Sequence, residues 1–421
     1  MLAERWQRNL AALWIAQALS MIAFSFVFPF FPLYIQYLGV RETADAARWT
    51  GIIVAASSLS LALAQPFWGN LADRFGRRPM VLRSMIGGSV TILIMGLVVS
   101  VEQLLVVRLL QGAVTGTVSA SNTLAATTTP RHRLGFTLGA MQVALFVGTS
   151  VGPLLGGVVA DAFGFRAAFF VAAALMAAGA GIVSAFVRED FTRPARDSMR
   201  RGVWAESRAL LAMSIFSTLV GVIFLIQWGN TVVSPMLSLF VAELAASENA
   251  ATAAGVVLGA TGVASAVSAL VVGRLSDRVG SGAIVPVCLA GATITCFPQA
   301  FVQQVWQLLL LRVLFGLFLG GLMPTANALV AQLVPQERRG AAFGLTATAS
   351  SLAHAAGPLS GAAVVTQWGL RAVFIVTGLV FAAAYGWVAL GLRYRKLVSS
   401  RPEATATRSE ARASAGADPD D

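Results

Sequence analysis

The chain has 421 residues, 57% of them hydrophobic and only 12% charged, where an average soluble domain carries about 25%. So sparse a charged set cannot cover a water-soluble globule of this length, which excludes ordinary soluble enzymes, disordered chains and collagen-like repeats and leaves an integral membrane protein. The formal net charge of +11 comes from 30 Lys+Arg against 19 Asp+Glu. The basic residues sit in short loops between apolar runs, so the excess speaks of membrane topology and not of nucleic acid.

About 20 predominantly apolar residues cross the hydrocarbon core as a helix. Split at charged and Pro/Gly-rich breaks, the chain offers twelve spans, at 9–37, 49–72, 79–100, 103–127, 134–160, 166–187, 209–242, 252–275, 282–302, 305–332, 339–365 and 370–392. The first is too long and too proline-interrupted for a cleaved leader. The basic, polar segment 188–208 reads as a cytoplasmic linker between an N-terminal six-helix bundle, 1–187, and a C-terminal one, 209–392. Residues 393–421 read as a disordered cytoplasmic tail. Arg41, Arg48, Arg166 and Arg371 fall on one side of the membrane, and Arg108 and Arg312 fall inside spans. All the other basic residues lie on the side of the termini, which makes that side the cytoplasm. A bacterial inner membrane, crossed many times with both termini cytoplasmic, is the expected location.

Several chemistries are excluded by residue type. Lys396 is the only lysine and lies in the tail, so there is neither a G-x-x-x-x-G-K-[ST] phosphate loop nor a buried Schiff-base lysine. Cys288 and Cys296 share one apolar run and, on a helix, stand about 12 Å apart along its axis, too far for a disulfide. His132 and His354 lie in no zinc-binding pattern. Neither metal nor cofactor is expected, and nothing in the spans has the pattern of an enzyme active site.

The two halves repeat each other. Gly69-Asn-Leu-Ala-Asp73-Arg74-Phe-Gly76-Arg77-Arg78 returns as Gly273-Arg-Leu-Ser-Asp277-Arg278-Val-Gly280. Arg108 and Gly112 return as Arg312 and Gly316, Asn122 as Asn327, Pro130 as Pro335, Gly152-Pro153 as Gly357-Pro358, and Gly164-Phe-Arg166 as Gly369-Leu-Arg371. An even number of spans per half gives both halves the same orientation. Such parallel repeats are the layout of transporters that rock two bundles about a site near the midplane. A channel would pass solute without stoichiometric proton movement, and a receptor would bind ligand and move none.

These residues carry a resemblance. The Gly69–Arg78 loop is similar to the signature of the major facilitator superfamily, over essentially residues 9–392. Arg108-Leu-Leu-Gln-Gly112 resembles the drug-transporter motif of span 4, and Gly148-Thr-Ser-Val-Gly152-Pro153-Leu-Leu-Gly156-Gly157 the antiporter motif of span 5. Together they resemble the twelve-helix drug:proton antiporter family. Trp49-Thr-Gly, Pro66-Phe-Trp68-Gly and Ser234-Pro-Met-Leu-Ser-Leu-Phe look most like its MdtG-type multidrug exporters. The resemblance implies an all-α major facilitator fold with two pseudo-symmetric six-helix bundles around a central cavity. It implies export of small amphiphilic compounds, antibiotics among them, by proton antiport and alternating access. The alternative is a proton-linked sugar or metabolite transporter of the same fold, or a uniporter. The expected partners are amphiphilic substrates, protons and the lipid bilayer, and the chain is expected to act as a monomer.

Each constellation then has an expected role. Gly69, Asp73, Arg74, Gly76, Arg77 and Arg78, with the weaker copy Asp277 and Arg278, would latch one conformational state through charge-assisted bonds. Gly148, Gly152, Gly156 and Gly157 lie on one helix face beside Pro153 and permit close helix approach. No Asp or Glu falls at the centre of any span, so proton coupling is left to Asp73, Arg108, Asp161, Glu243 and His354. Phe24, Phe28, Tyr34, Asn122, Gln142, Phe146, Gln227, Trp228, Asn230 and Asn327 are the candidate lining of an aromatic, amide-bearing substrate cavity. A site without a central anion favours neutral, zwitterionic or anionic amphiphiles over quaternary ammonium compounds.

Overall fold

The computed structural model describes residues 2–130, 133–189, 208, 210–245, 249–279, 281–334 and 338–399. All regular structure among them is helical. Span 1 is Leu2–Phe26, a 3-10 turn Phe28–Phe30 and a short helix Phe31–Tyr37. Spans 2 and 3 are Thr43–Phe75 and Arg77–Met95. Span 4 is broken into Val101–Val114 and Thr117–Thr128. Spans 5 and 6 are Leu134–Phe163 and Phe165–Phe186. In the second half, span 7 is Ser214–Val233 and Leu237–Ala245, and span 8 is Ala250–Val279. Span 9 is Ser281–Cys296 with the turn Phe297–Phe301, and spans 10 to 12 are Val305–Leu333, Arg339–Trp368 and Ala372–Ser399.

Ten of the helical segments among the described residues are long and apolar enough to cross a membrane. Spans 3 and 11 fall short for different reasons. Span 3 is short and opens on Arg77, Arg78 and Arg83. Span 11 carries Thr346, Thr348, Ser350, Ser351, His354 and Ser360 among alanines and glycines. Its packing explains that composition, since it lies against spans 2 and 7, where protein and not hydrocarbon is the neighbour. Several helices overrun their apolar runs, because a helix end emerging into water keeps its internal hydrogen bonds whatever the side chains. The last one continues to Ser399, inside the segment read as tail. Residues 190–207 of the linker, 400–421 of the tail, and His132 and Pro335 lie outside the described residues.

The repeat read from sequence is also a repeat of contacts. A Cβ on Gly112 of span 4 would strike the Ser57 carbonyl and Ser60 of span 2. One on Gly316 of span 10 would strike the Thr261 carbonyl and Ala264 of span 8. Arg166 donates to the Val98 carbonyl at 3.5 Å, and its counterpart Arg371 donates to Ala300 and Val302 carbonyls at 2.9 and 3.0 Å. Gly164 and Gly369 turn the chain between spans 5–6 and 11–12 at φ 85° and 82°, a backbone region that only glycine enters without strain. Each half has its own apolar cores. One in the first gathers Phe26, Phe30, Ile53, Leu104 and Phe169; two in the second gather Phe240 with Phe374 and Phe315 with Phe381.

Candidate functional site

The two halves meet at the end that carries Arg41, Arg48, Arg166 and Arg371. Two helix pairs make most of the contact, span 5 with span 8 and span 2 with span 11, and the Phe28–Tyr37 end of span 1 adds contacts to spans 7 and 8. In the first pair a Cβ on Gly157 would overlap the Ala251 carbonyl, and one on Gly255 the Pro153 carbonyl, while Gly259 and Gly262 both lie against Ser150. In the second, a Cβ on Gly51 would overlap the Pro358 carbonyl and Ala362. Pro153 facing Gly255 and Pro358 facing Gly51 are symmetry mates of the internal repeat. Glycine is required here because backbone meets backbone across the seam, and any side chain would hold the halves apart. Asp161 adds a directional bond, its Oδ2 accepting the backbone N–H of Thr252 at 2.6 Å. That carboxylate sits on the first turn of span 8, where the helix dipole and unpaired N–H groups favour an anion.

Toward the Arg-rich end the same faces part. Added Cβ atoms on Gly139 of span 5 and Gly344 of span 11, again repeat mates, would meet nothing within 4 Å. Phe136, Leu63, Phe67, Leu270 and Leu275 are exposed along spans 5, 2 and 8. Helical register carries the sealed face of span 5 from Ser150 through Phe146 to Gln142, and that of span 11 from Pro358 to His354. Gln142 and His354 are exposed and Phe146 is partly buried. His354 Nδ1 lies 2.7 Å from the Ser350 carbonyl of its own helix. Trp228 borders this region from span 7, its indole N–H donating to Ser360 Oγ at 2.9 Å and its ring tilted against Phe224 at 5.9 Å. Gln227 and Asn230 are partly buried on the same helix, Asn327 is exposed on span 10, and Asn122 on span 4 has a buried Oδ1 with no partner. The cleft is therefore a wedge, sealed by glycine at one end and parted at the other, and Gln142, Phe146 and His354 continue the sealed helix faces into its open part.

Arg108 lies about two turns before the break in span 4. Its guanidinium lies 4.3 Å over the ring of Phe31 and donates to Gln111 Oε1 at 2.9 Å. Three residues beyond Gln111 the helix stops. Thr115 closes it by donating N–H and hydroxyl to the Gln111 carbonyl, each at 2.8 Å, and Gly116, at φ 124°, leads the chain into the second part of the span. Irregular backbone at membrane depth survives only where protein or a wet cavity satisfies it. Trp68 does part of this, its indole donating to the Ala113 carbonyl at 2.6 Å while Arg83 covers its ring at 3.6 Å. Arg312 is differently placed. It is buried between Phe315 and Phe374, with ring centroids at 5.4 and 6.0 Å, on an unbroken helix.

At the Arg-rich end, the loop motif is held by a residue its own sequence does not contain. Glu189, just past span 6, accepts the backbone N–H of Arg77 at 2.9 Å through one oxygen and that of Arg78 at 2.7 Å through the other. Arg78 returns the tie by donating to the Ser184 carbonyl at 2.7 Å. Gly76 makes the sharp turn into span 3 at φ 96°. Arg74 and Gly69 are exposed; the side chains of Asp73, Asp277 and Arg278 lie outside the described residues. Charge-assisted bonds of this kind are worth about 1.5–3 kcal/mol each. Glu189→Ala is expected to lower the unfolding midpoint of the detergent-solubilised protein by several degrees, and Glu189→Gln, which keeps one acceptor, by about half as much. Equal midpoints for all three proteins would show that the cap contributes nothing.

Some candidates lie away from the cleft. Tyr34 is fully buried in the core of the first half, its hydroxyl donating to the Met95 carbonyl at 2.8 Å and its ring 4.7 Å from Phe169. The aromatic run of span 1 thus packs spans 3 and 6 and does not line the cavity at Tyr34. Glu243 is exposed on the last turns of span 7, beyond the seam. Phe24 is exposed on span 1 and Phe28 partly buried in its 3-10 turn. Gly148, Gly152 and Gly156 close on Met21, Ile22, Ser25 and Phe26 of span 1, inside the first half, and only Gly157 reaches across. The antiporter-type motif therefore faces two ways. Sequence reasoning missed Gly255, Gly259, Gly262 and Glu189, and gave Gly51 and Gln111 no role beyond the motifs that contain them. The spacing Gly255-x3-Gly259-x2-Gly262 was the available signal for the seam.

Two repeated bundles, joined by a glycine seam at one end of a cleft that opens at the other, define a multi-pass membrane transporter. The model of the Major Facilitator Superfamily matches residues 13–225 and again 219–417; the chain belongs to that superfamily. It is similar to the multidrug resistance protein MdtG of Salmonella paratyphi B and of Salmonella typhimurium, at 36% identity over 394 residues, covering 92% of this chain and 96% of each relative. Among solved structures it resembles the human organic anion transporter MFSD10 (TETRAN), with a TM-score of 0.66 at 20% identity, covering 91% of this chain and 99% of that one. It also resembles a bacterial homolog of the human lysosomal transporter Spinster in an inward-facing, unoccupied conformation. There the TM-score is 0.76 at 15% identity, covering 92% and 97%. At such identities the likeness is one of fold.

Proposed function

We propose that this protein exports small amphiphilic compounds across a bacterial inner membrane by proton antiport, as a single chain working by alternating access. The observation that carries the reading is the asymmetry of the cleft, sealed at the Arg-poor end and parted at the Arg-rich end. With the Arg-rich side cytoplasmic, this is the inward-facing state, poised to load substrate from the cytoplasm. The 36% identity to proteins named for multidrug resistance supports the substrate class. The wedge of Phe146, Gln142, His354 and Trp228 would hold varied amphiphiles by area burial and a few adaptable polar contacts.

In the opposite state the seam must open and the Arg-rich ends must close. Asp161 is then an outer latch and the Gly69–Arg78 loop, with Asp73, an inner one. A carboxylate that caps span 8 across the halves favours the inward-facing state and acts there as a gate. Arg108, inside the broken span 4, and His354, one turn from the seam, remain as the coupling groups.

The test is transport by purified protein in liposomes with a pH dye inside and an imposed proton gradient, using a panel of neutral, anionic and cationic amphiphiles. Proton movement opposite to substrate flow is expected. Asp161→Asn, which weakens the cap by roughly 1 kcal/mol, is expected to raise the outward-open population about fivefold and to slow turnover while leaving exchange proton-coupled. Substrate flux with no proton movement would overturn antiport and favour a uniporter.

A further inference from the structure

The break in span 4 leaves a helix N-terminus near the middle of the membrane. Thr117–Thr128 begins after Gly116, and no side chain caps it. The first N–H bonded within this part is that of Ala120, to the Gly116 carbonyl at 3.1 Å. The N–H groups of Thr117, Val118 and Ser119 are left at the helix end without a helical acceptor. The Ala113 carbonyl, which an unbroken helix would offer to Thr117, is taken instead by the Trp68 indole.

The side chains at this level are unpartnered as well. Thr117, on the first turn, is 4% exposed and its hydroxyl has no hydrogen-bond partner. Ser121, one turn along the same face, is fully buried and equally unpartnered. Span 1 supplies the other wall. One apolar core gathers Leu13 and Ala16 of span 1, Leu124 and Ala125 of span 4, and Ala180 and Val183 of span 6. Spans 1 and 4 run antiparallel, so moving outward from that core brings Gln17 level with Ser121 and Ser20 level with Thr117. Gln17 and Ser20 are fully buried, and neither the two amide atoms nor the hydroxyl has a partner. Buried polar groups in folded proteins are nearly always hydrogen-bonded, so this one layer of the first half is built to receive a guest.

We propose that the layer is a binding site for a small monovalent anion, a halide or a carboxylate, seated on the N-terminus of Thr117–Thr128. Three backbone N–H groups and the positive end of the helix dipole favour negative charge there. Gln17 Nε2 and the hydroxyls of Ser20, Thr117 and Ser121 add donors around it. The sequence provides no competing anion, since 9–37, 79–95, 103–160 and 165–186, which carry spans 1, 3, 4 and 6, contain neither Asp nor Glu. The same absence disfavours a cation. Ser119, on the same first turn, is exposed and gives the site an entrance. Span 10 has no equivalent, because Val305–Leu333 runs through without a break. A carboxylate would be the head group of a transported amphiphile, and that assignment rests on the function proposed above. A halide would be a resident ion that holds the break in place.

The experiment uses the full chain, purified in neutral detergent with methanesulfonate as the only other anion. Chloride is titrated and its NMR line broadening followed, with acetate, benzoate and the neutral benzamide as competitors. The measurement is repeated with Thr117→Val, with Gln17→Leu/Thr117→Val, and with Thr123→Val, which removes an exposed hydroxyl of the same helix. Saturable broadening is expected, with affinity about tenfold or more lower in the double variant, lower to a smaller extent in Thr117→Val, and unchanged in Thr123→Val. Displacement by acetate and benzoate but not benzamide supports the site and assigns it to carboxylate head groups. Chloride binding that benzoate does not displace supports it and assigns a resident ion. No saturable binding by the wild type, or binding equal in wild type and double variant, or an equal loss in Thr123→Val, overturns the proposal. If the double variant does not fold, Thr117→Val, which keeps the shape of the side chain, decides. No proton gradient or transport enters the measurement, so its failure leaves the export reading standing.

Discussion

Gly157→Leu is expected to abolish transport without unfolding the protein. A Cβ at this position already overlaps the Ala251 carbonyl across the seam, and a leucine extends the collision along span 8. Overpacking of this kind costs about 1–3 kcal/mol. The cost falls only on the state in which the halves touch here, because the nearest atoms a Cβ on Gly157 would meet all belong to Ala251 and Thr252 of span 8. The protein can escape by opening the seam, so the strain becomes a shift of population toward the outward-facing state of about 5- to 150-fold. Spin labels at Ala162 and Asn249, near the outer ends of spans 5 and 8, should move apart in the variant. A pair at Gly139 and Leu270, toward the Arg-rich end, should move closer.

The neighbouring glycine supplies the control. A Cβ on Gly156 would overlap the backbone of Phe26 in span 1, a contact inside the first half that no rocking motion relieves. Gly156→Leu is therefore expected to lower the unfolding midpoint sharply, with little change of the label distances in whatever protein survives. Two adjacent substitutions of equal size thus separate conformational from structural strain. Should both melt the protein alike, or Gly157→Leu leave the distances unchanged, the seam would be ordinary packing and not a gate.

Much of this architecture was legible in the sequence, and the reason is physical. A span announces itself by twenty apolar residues in a row, and a duplicated half by glycines and arginines returning at a fixed offset, because both are constraints on single helices. What a single helix does not announce is its neighbour. Gly156 and Gly157 are adjacent and chemically identical, yet one packs against span 1 and the other against span 8. Tyr34 has the composition of a cavity residue and the position of a core one, settled by the Met95 carbonyl on span 3. Glu189 was overlooked because it stands more than a hundred residues from the loop it caps. Spans 3 and 11 show the converse, since charged and Pro/Gly-rich breaks delimit each as a span although its composition falls short of the other ten.

Arg108→Met should remove transport while leaving stability nearly unchanged. An arginine inside a span costs about 2.5–3.5 kcal/mol on insertion scales. Against that stand its bond to Gln111, worth about 1.5–3 kcal/mol, and its place over Phe31, worth up to about 2 kcal/mol when desolvated. These nearly cancel, so the residue has little structural reason to be there. A loss of transport of about 100-fold or more, with an unfolding midpoint within a few degrees of wild type, would assign the guanidinium to the transport cycle. Arg108→Lys should not restore it, because an ammonium lacks the planar fork that holds Gln111 and the ring together. Arg312→Met is the decisive comparison. Arg312 occupies the equivalent place in the repeat but lies buried between two phenylalanines on an unbroken helix, and its loss should leave transport within about threefold. The two arginines differ chiefly in the break at Thr115 and Gly116. If that break is what turns a tolerated buried charge into a working one, only the arginine on the broken span will matter, and equal losses in both variants would remove the distinction.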